Sequence, residues 1–187
     1  SSLGRLWLRY RLRWKRREIL WRAYRARRDL TPVADRTQQI KPDSILAFAT
    51  IRNEAARLPE FLAHYRRIGV DHFLIVDNGS DDGSAQLLQN QSDVSLWHST
   101  ASYRAAHFGV DWLGALLMRH GHGHWCVTVD ADELLIYPDW DRRDLGALTR
   151  HLDRHRIAGM GALMLELYPE GPLDQPEAPD HAPLTTR

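Results

Sequence analysis

The chain has 187 residues, 43% hydrophobic and 26% charged, which fits a globular protein with room for one ordinary domain and an appendage. Its one cysteine, Cys126, excludes a disulfide framework and a cysteine-based zinc site and points to a reducing compartment. The net charge of +1 conceals a division: residues 1–30 hold 11 Lys/Arg and 2 Asp/Glu, a net of +9, while the remainder holds 14 and 22, a net of −8.

An acidic main domain repels nucleic acid and needs a cation to hold a phosphorylated ligand. No apolar run approaches the roughly 20 residues that span a bilayer. The N-terminus lacks the apolar core of a secretion signal. The expectation is cytoplasmic residence, peripheral on the inner face of the plasma membrane if the basic segment engages lipid.

Residues 3–28 read as a helix. Trp7, Trp14 and Trp21 recur every seven positions, with Tyr10 and Tyr24 three residues after the first and last. They form an aromatic stripe among arginines, a pattern suited to an anionic membrane surface. The alternative is that the stripe packs on the main domain or self-associates. A basic helix alone is weak evidence for nucleic-acid binding. Residues 31–43, with Pro32 and Pro42, read as a linker.

From Ser44 onward strands and helices alternate. Apolar runs at Ile45–Ile51, Phe73–Val76, Val94–Trp97 and Trp125–Val129 predict buried strands, with Ala162–Leu167 as a fifth. Leu58, Phe61, Leu62, Tyr65 and Ile68 fall at helical spacing before Gly69. Further helices are predicted over Ser84–Gln89, around Val110–Leu117, and around Leu145–Leu152. This order implies βαβ units and a mostly parallel sheet with helices on both faces, over residues 44–170. Residues 169–183 contain five prolines, and 171–187 read as an irregular loop or the start of a further half.

In open α/β sheets, ligands bind beyond the carboxyl ends of the strands. Three segments leave strands there: Thr50–Glu54, Asp77–Asp82 and Asp130–Glu133. Asp130 and Asp132 are two apart, so both can project to one side. Such hard oxygen ligands suit Mg²⁺ or Mn²⁺, which keep water and substrate phosphates as further ligands. The bland reading of D-x-D is a solvated turn. Asp77-Asn78-Gly79-Ser80-Asp81-Asp82-Gly83-Ser84 divides similarly between a capped turn and a site. Asp77 ends a buried strand, where a carboxylate can accept from a ligand's N–H groups. Neither G-x-x-x-x-G-K-[ST] nor G-x-G-x-x-G occurs, against a P-loop or Rossmann enzyme, and no G-x-S-x-G is present. His120, His122 and His124 read as a surface turn.

Ala49-Thr50-Ile51-Arg52-Asn53-Glu54, Val76–Ser84 and Val129-Asp130-Ala131-Asp132-Glu133-Leu134 resemble, in order and spacing, family 2-like glycosyltransferases. The resemblance is to the bacterial subgroup with an R-N-E-A start and a D-A-D-E metal motif. Trp97-His98, Ser102-Tyr103-Arg104 and Asp111-Trp112 fit it too. It covers about residues 44–170.

The resemblance implies a GT-A fold, a nucleotide-diphosphate sugar donor and Mn²⁺ or Mg²⁺. It sets Thr50 and Glu54 beside the nucleoside, Asp77 at the base or ribose, Asp130 at the ribose or metal, Asp132 on the metal, and Arg104 near the donor. Glu133 has no implied role. Inverting members use a downstream Asp or Glu as general base to deprotonate a glycan or lipid-linked hydroxyl. Only 55 residues follow Asp132, so the base is expected beyond Arg187, with Glu166, Glu170 and Asp180 as substitutes. Two other readings stand: a non-catalytic or truncated membrane-associated nucleotide-sugar-binding module, and a nucleotidyltransferase with Arg52 and Arg57 on the triphosphate.

Overall fold

The computed structural model describes residues 2–165, with side chains from Trp7 onward. Glu166, Glu170, Asp180 and the proline-rich stretch lie outside the described residues. The fold is α/β, as the alternation predicts. Strands β1 (Thr31–Ala34), β2 (Leu46–Ile51), β3 (His72–Asp77), β4 (Val94–His98) and β5 (Cys126–Thr128) form one sheet in the order β1-β4-β3-β2-β5. Only β1 runs antiparallel, on β4; the other pairs are parallel.

Helices cover both faces, which is why β2 and β3 are apolar at nearly every position rather than at alternate ones. Helices α2 (Leu58–Arg67), α3 (Ser84–Gln89) and α5 (Leu145–Arg154) lie on one face. There Phe61, Leu62, Tyr65, Leu88 and Leu145 pack on Ala47, Ala49, Phe73 and Ile75. On the opposite face α4 (Val110–His120) sets Trp112, Leu113 and Leu116 against Leu46, Phe48, Leu74 and Val76.

Two expectations need correction. Residues 31–34 are an edge strand, not linker. Pro32 fits there because an edge position does not require its missing N–H, and the register shifts between Pro32 and Ala34. The following turn is also tied down: Arg36 donates to the Val94 and Gln89 carbonyls at 2.9 and 2.8 Å. Ala162–Leu165 form no strand. Leu163 and Leu165 are 91% and 82% exposed, since an apolar run becomes a strand only with an edge to pair on.

The N-terminal helix α1 (Ser2–Ala26) is 25 residues long and meets the domain through two alanines near its C-terminal end. Ala23 and Ala26 are buried, and a Cβ built on Gly114 of α4 would lie 3.0 Å from the Ala23 Cβ. The two helices therefore approach closely through small residues. Arg22 Nε donates to the buried Asp111 carboxylate at 3.2 Å, locking the end of α1 to the start of α4. The aromatic stripe faces away: Trp7, Trp14 and Trp21 are 61%, 56% and 58% exposed. Packing of that stripe on the main domain is thus overturned.

The histidines give the fold a pH sensitivity. His72 is buried with its ring bonded to Ser95 Oγ at 2.8 Å, and burial lowers its pKa from the ordinary 6.5. Burial lowers His64 and His120 in the same direction. The unfolded chain then takes up protons first as pH falls. The stabilisation is fully present above 6.5 and is lost as pH drops from there toward the depressed folded values. The urea midpoint should accordingly fall between about pH 7 and about pH 5, with a shallower fall in His72→Gln.

Candidate functional site

Because β3, β2 and β5 are parallel neighbours, the segments leaving them emerge at one edge of the sheet. The segment leaving β4 joins them. The loops carrying Thr50–Glu54, Asp77–Asp82 and Asp130–Glu133 are therefore brought together. Alternation sets Thr50 toward the α4 face and Asp77 toward the α2 face, each at or beside the final rung.

Asp77 is 2% exposed yet fully engaged. Its carboxylate accepts from Ser80 N at 3.2 Å and from the Ser80 hydroxyl, and meets His98 Nδ1 at 3.2 Å. His98 is Asp77's register partner on β4, a pairing that spacing along the chain could not show. The loop after β3 is tied to the loop after β2. Asn53 N donates to Ser80 Oγ, Glu54 N to Ser84 Oγ, and Ala55 N to Asp82 Oδ2, all within 2.8–2.9 Å. The Asn53 side-chain oxygen Oδ1 accepts from Asp81 N at 3.0 Å. Much of the D-N-G-S-D-D-G-S run therefore builds the rim. Glu54 pairs with Arg57 at 3.1 Å, and residues 53–57 with Asp82 border a depression of about 210 Å³.

The D-A-D-E segment forms a turn in which Glu133 N donates to Asp130 O at 3.1 Å. Asp130 N donates to Glu133 Oε2 at 3.4 Å, so Glu133 closes the turn. Ala131 is buried, whereas Asp130 and Asp132 on either side of it are exposed. From α2, Tyr65 holds the segment: its hydroxyl donates to Glu133 O at 3.2 Å and accepts from Leu135 N at 3.1 Å. Burial pushes this phenol up to about 12, so it stays protonated.

Partial burial and the nearby Asp132 carboxylate raise the pKa of Asp130. On the β4–α4 segment, burial raises the Tyr103 pKa, and the Asp130 and Asp132 charges add to it. That segment is pinned where it leaves the sheet, by Asn78 Nδ2 donating to the Ser99 and Ala101 carbonyls at 2.9 and 3.0 Å. It returns through Gly109, whose φ is +81°. A Cβ at Gly109 would come 2.7 Å from Thr50 Oγ1. The Thr50 hydroxyl is consequently enclosed and has no hydrogen-bond partner among the described residues. Arg104 is exposed, and its guanidinium makes no hydrogen bond or ion pair with a described residue.

Asp111, which the sequence grouped with the donor motifs, instead bonds Arg22 and His107. The three histidines separate. His124 Nδ1 lies 3.0 Å from Ser44 O, His120 stacks near Trp97 at 5.8 Å, and His122 is exposed. Among the described residues no group of three His, Cys, Asp or Glu side chains could enclose a metal. Asp130 and Asp132 are two exposed carboxylates on one turn, a donor set of the size used by ions that take one or two protein carboxylates and complete their shell with phosphate oxygens and water.

No family model matches the chain. Over 105 residues the chain is 31% identical to a glycosyltransferase family 92 protein of Oryza sativa subsp. japonica, a similarity covering 52% of this chain. The chain spans 17% of the length of that curated relative. The similarity supports a glycosyltransferase in general; it does not extend to the family 2-like subgroup or its motifs.

Proposed function

We propose that this chain is the donor-binding part of a metal-dependent, inverting glycosyltransferase of the family 2-like kind. It takes a nucleotide-diphosphate sugar and serves transfer to a hydroxyl of a glycan or lipid-linked acceptor. The observation that carries the reading is the convergence of the segments after β2, β3 and β5 at one edge of the sheet, where Asp130 and Asp132 stand exposed on the turn after β5. The similarity to a family 92 glycosyltransferase supports glycosyl transfer in general and none of the finer parts of this reading.

Asp132 and Asp130 would hold Mn²⁺ or Mg²⁺. Once bound, the cation supplies neutralisation of the charge that grows on the departing diphosphate. Asp77, buried and held by Ser80 and His98, anchors the loop that would receive the base or ribose. Glu54 stands at the nucleoside side of the same rim. Thr50 seats Gly109 and so fixes the path of the segment that carries Tyr103 and Arg104. Arg104 offers a cation to the diphosphate. No described residue is assigned the part of general base.

A thermal-shift panel of nucleotide-diphosphate sugars, with Mn²⁺ and with a chelator, tests this. One donor should stabilise the chain only with metal, by about 2.7 kcal/mol at a hundred times its Kd. Equal stabilisation in chelator, or none from any donor, would contradict the reading.

A further inference from the structure

We propose that α1 is a lipid-surface anchor that lays its outward aromatic stripe into the headgroup layer of an anionic membrane. On the stripe, Trp7, Tyr10, Trp14, Trp21 and Tyr24 are all between 47% and 61% exposed, and none of them belongs to the buried core. Such rings, apolar with a polar tip, settle at the boundary between headgroups and hydrocarbon. The arginines are placed for the same depth. Arg11 lies over Trp7 at 5.0 Å, Arg25 over Trp21 at 4.7 Å and Arg27 over Tyr24 at 3.8 Å. Guanidinium groups stacked on the rings would meet lipid phosphates as the rings enter.

Charge selects the occupant. Residues 2–26 hold nine Lys/Arg against one acid, Glu18. The seven-residue repeat could suggest a coiled coil with a second copy. However, the stripe is flanked by Arg11, Arg13 and Arg25, which two copies would bring against each other. A stripe of Trp and Tyr also lacks the aliphatic knobs such a seam packs. An anionic lipid surface has the opposite sign and accepts aromatic rings. Among the described residues no helix is long and apolar enough to cross a membrane, so α1 lies on the surface. Its C-terminal end is fixed to α4 by Arg22–Asp111 and by Ala23 against Gly114, which turns a lipid contact into a fixed attitude of the domain.

Co-sedimentation with vesicles tests the proposal on the full chain. One set is pure phosphatidylcholine; the other is equimolar phosphatidylcholine and phosphatidylglycerol. The chain should pellet with the anionic set and stay in solution with the neutral one. The triple variant Trp7→Ala/Trp14→Ala/Trp21→Ala should partition about ten-fold or more weakly. These side chains are outside the core, so an unchanged thermal melt is expected and separates lost binding from lost folding. Arg11→Glu/Arg13→Glu, in solvated positions, should weaken binding to the anionic set alone. Equal pelleting with both sets, or an unaltered triple variant, would overturn the proposal. So would a dimer in sedimentation velocity that the triple variant abolishes, or capture by an acidic polypeptide without capture by vesicles. The assay does not involve donor or metal, so its outcome is distinguishable from that of the donor-binding reading.

Discussion

Asp132→Ala is expected to abolish the metal-dependent part of donor binding while leaving the fold intact. Asp132 is exposed on the turn after β5, and the hydrogen bonds that hold the turn come from Glu133 and Tyr65. Removing its carboxylate thus costs little stability. It leaves Asp130 as a single ligand whose pKa is still raised by burial but no longer by the Asp132 charge, so that carboxyl should ionise somewhat more readily. Where turnover can be followed, losing this electrostatic stabilisation should lower kcat/KM by about 10²–10³-fold, or roughly 3–4 kcal/mol of transition-state binding. In a thermal-shift assay the increment from Mn²⁺ plus donor should disappear and the basal melt should not move. Unchanged metal-dependent binding would remove Asp132 from the site.

Gly109→Ala is expected to do the reverse: to lower stability and disturb donor binding without touching a carboxylate. Two penalties coincide. A φ of +81° strains any L side chain, and the new methyl would meet Thr50 at 2.7 Å from Oγ1, 3.0 Å from Cβ and 3.1 Å from Cγ2. Thr50 is held in the sheet by pairing with Val76, so it cannot withdraw. The combined cost should be about 2–4 kcal/mol, seen as a lower urea midpoint. Thr50→Ser in the same background removes one of the colliding carbons and should restore part of the loss. A Gly109→Ala protein as stable as the parent would show that the β4–α4 segment is not seated on β2.

Strands β2, β3 and β4 were legible because strands buried on both faces leave uninterrupted apolar runs in the sequence; the run Trp125–Val129 yields only the short, half-buried to exposed β5. The acidic segments stand where those runs stop. What could not be read depends on contacts between strands or on small residues. The Asp77–His98 pair follows from the register of β3 on β4. Glu133 closes a turn around Asp130, a job that the motif D-A-D-E does not advertise. The docking contact of α1 was hidden because alanine carries little hydrophobic signal, although Ala23 and Ala26 are its buried residues. Strand β1 was taken for linker because Pro32 reads as a breaker unless the strand is known to lie at an edge. Conversely, Ala162–Leu165 have the composition of a strand and no pairing, since composition supplies a surface but not a partner.

Donor binding is expected to require a cation held jointly by two carboxylates and a diphosphate. Electron paramagnetic resonance of free Mn²⁺ measures this directly, with the chain alone and with a nucleotide-diphosphate sugar added. Two carboxylates leave most of the coordination shell to be filled, so the free Mn²⁺ signal should fall substantially only when chain and donor are both present. An equal fall without donor, or no added fall when chain joins donor, would contradict it.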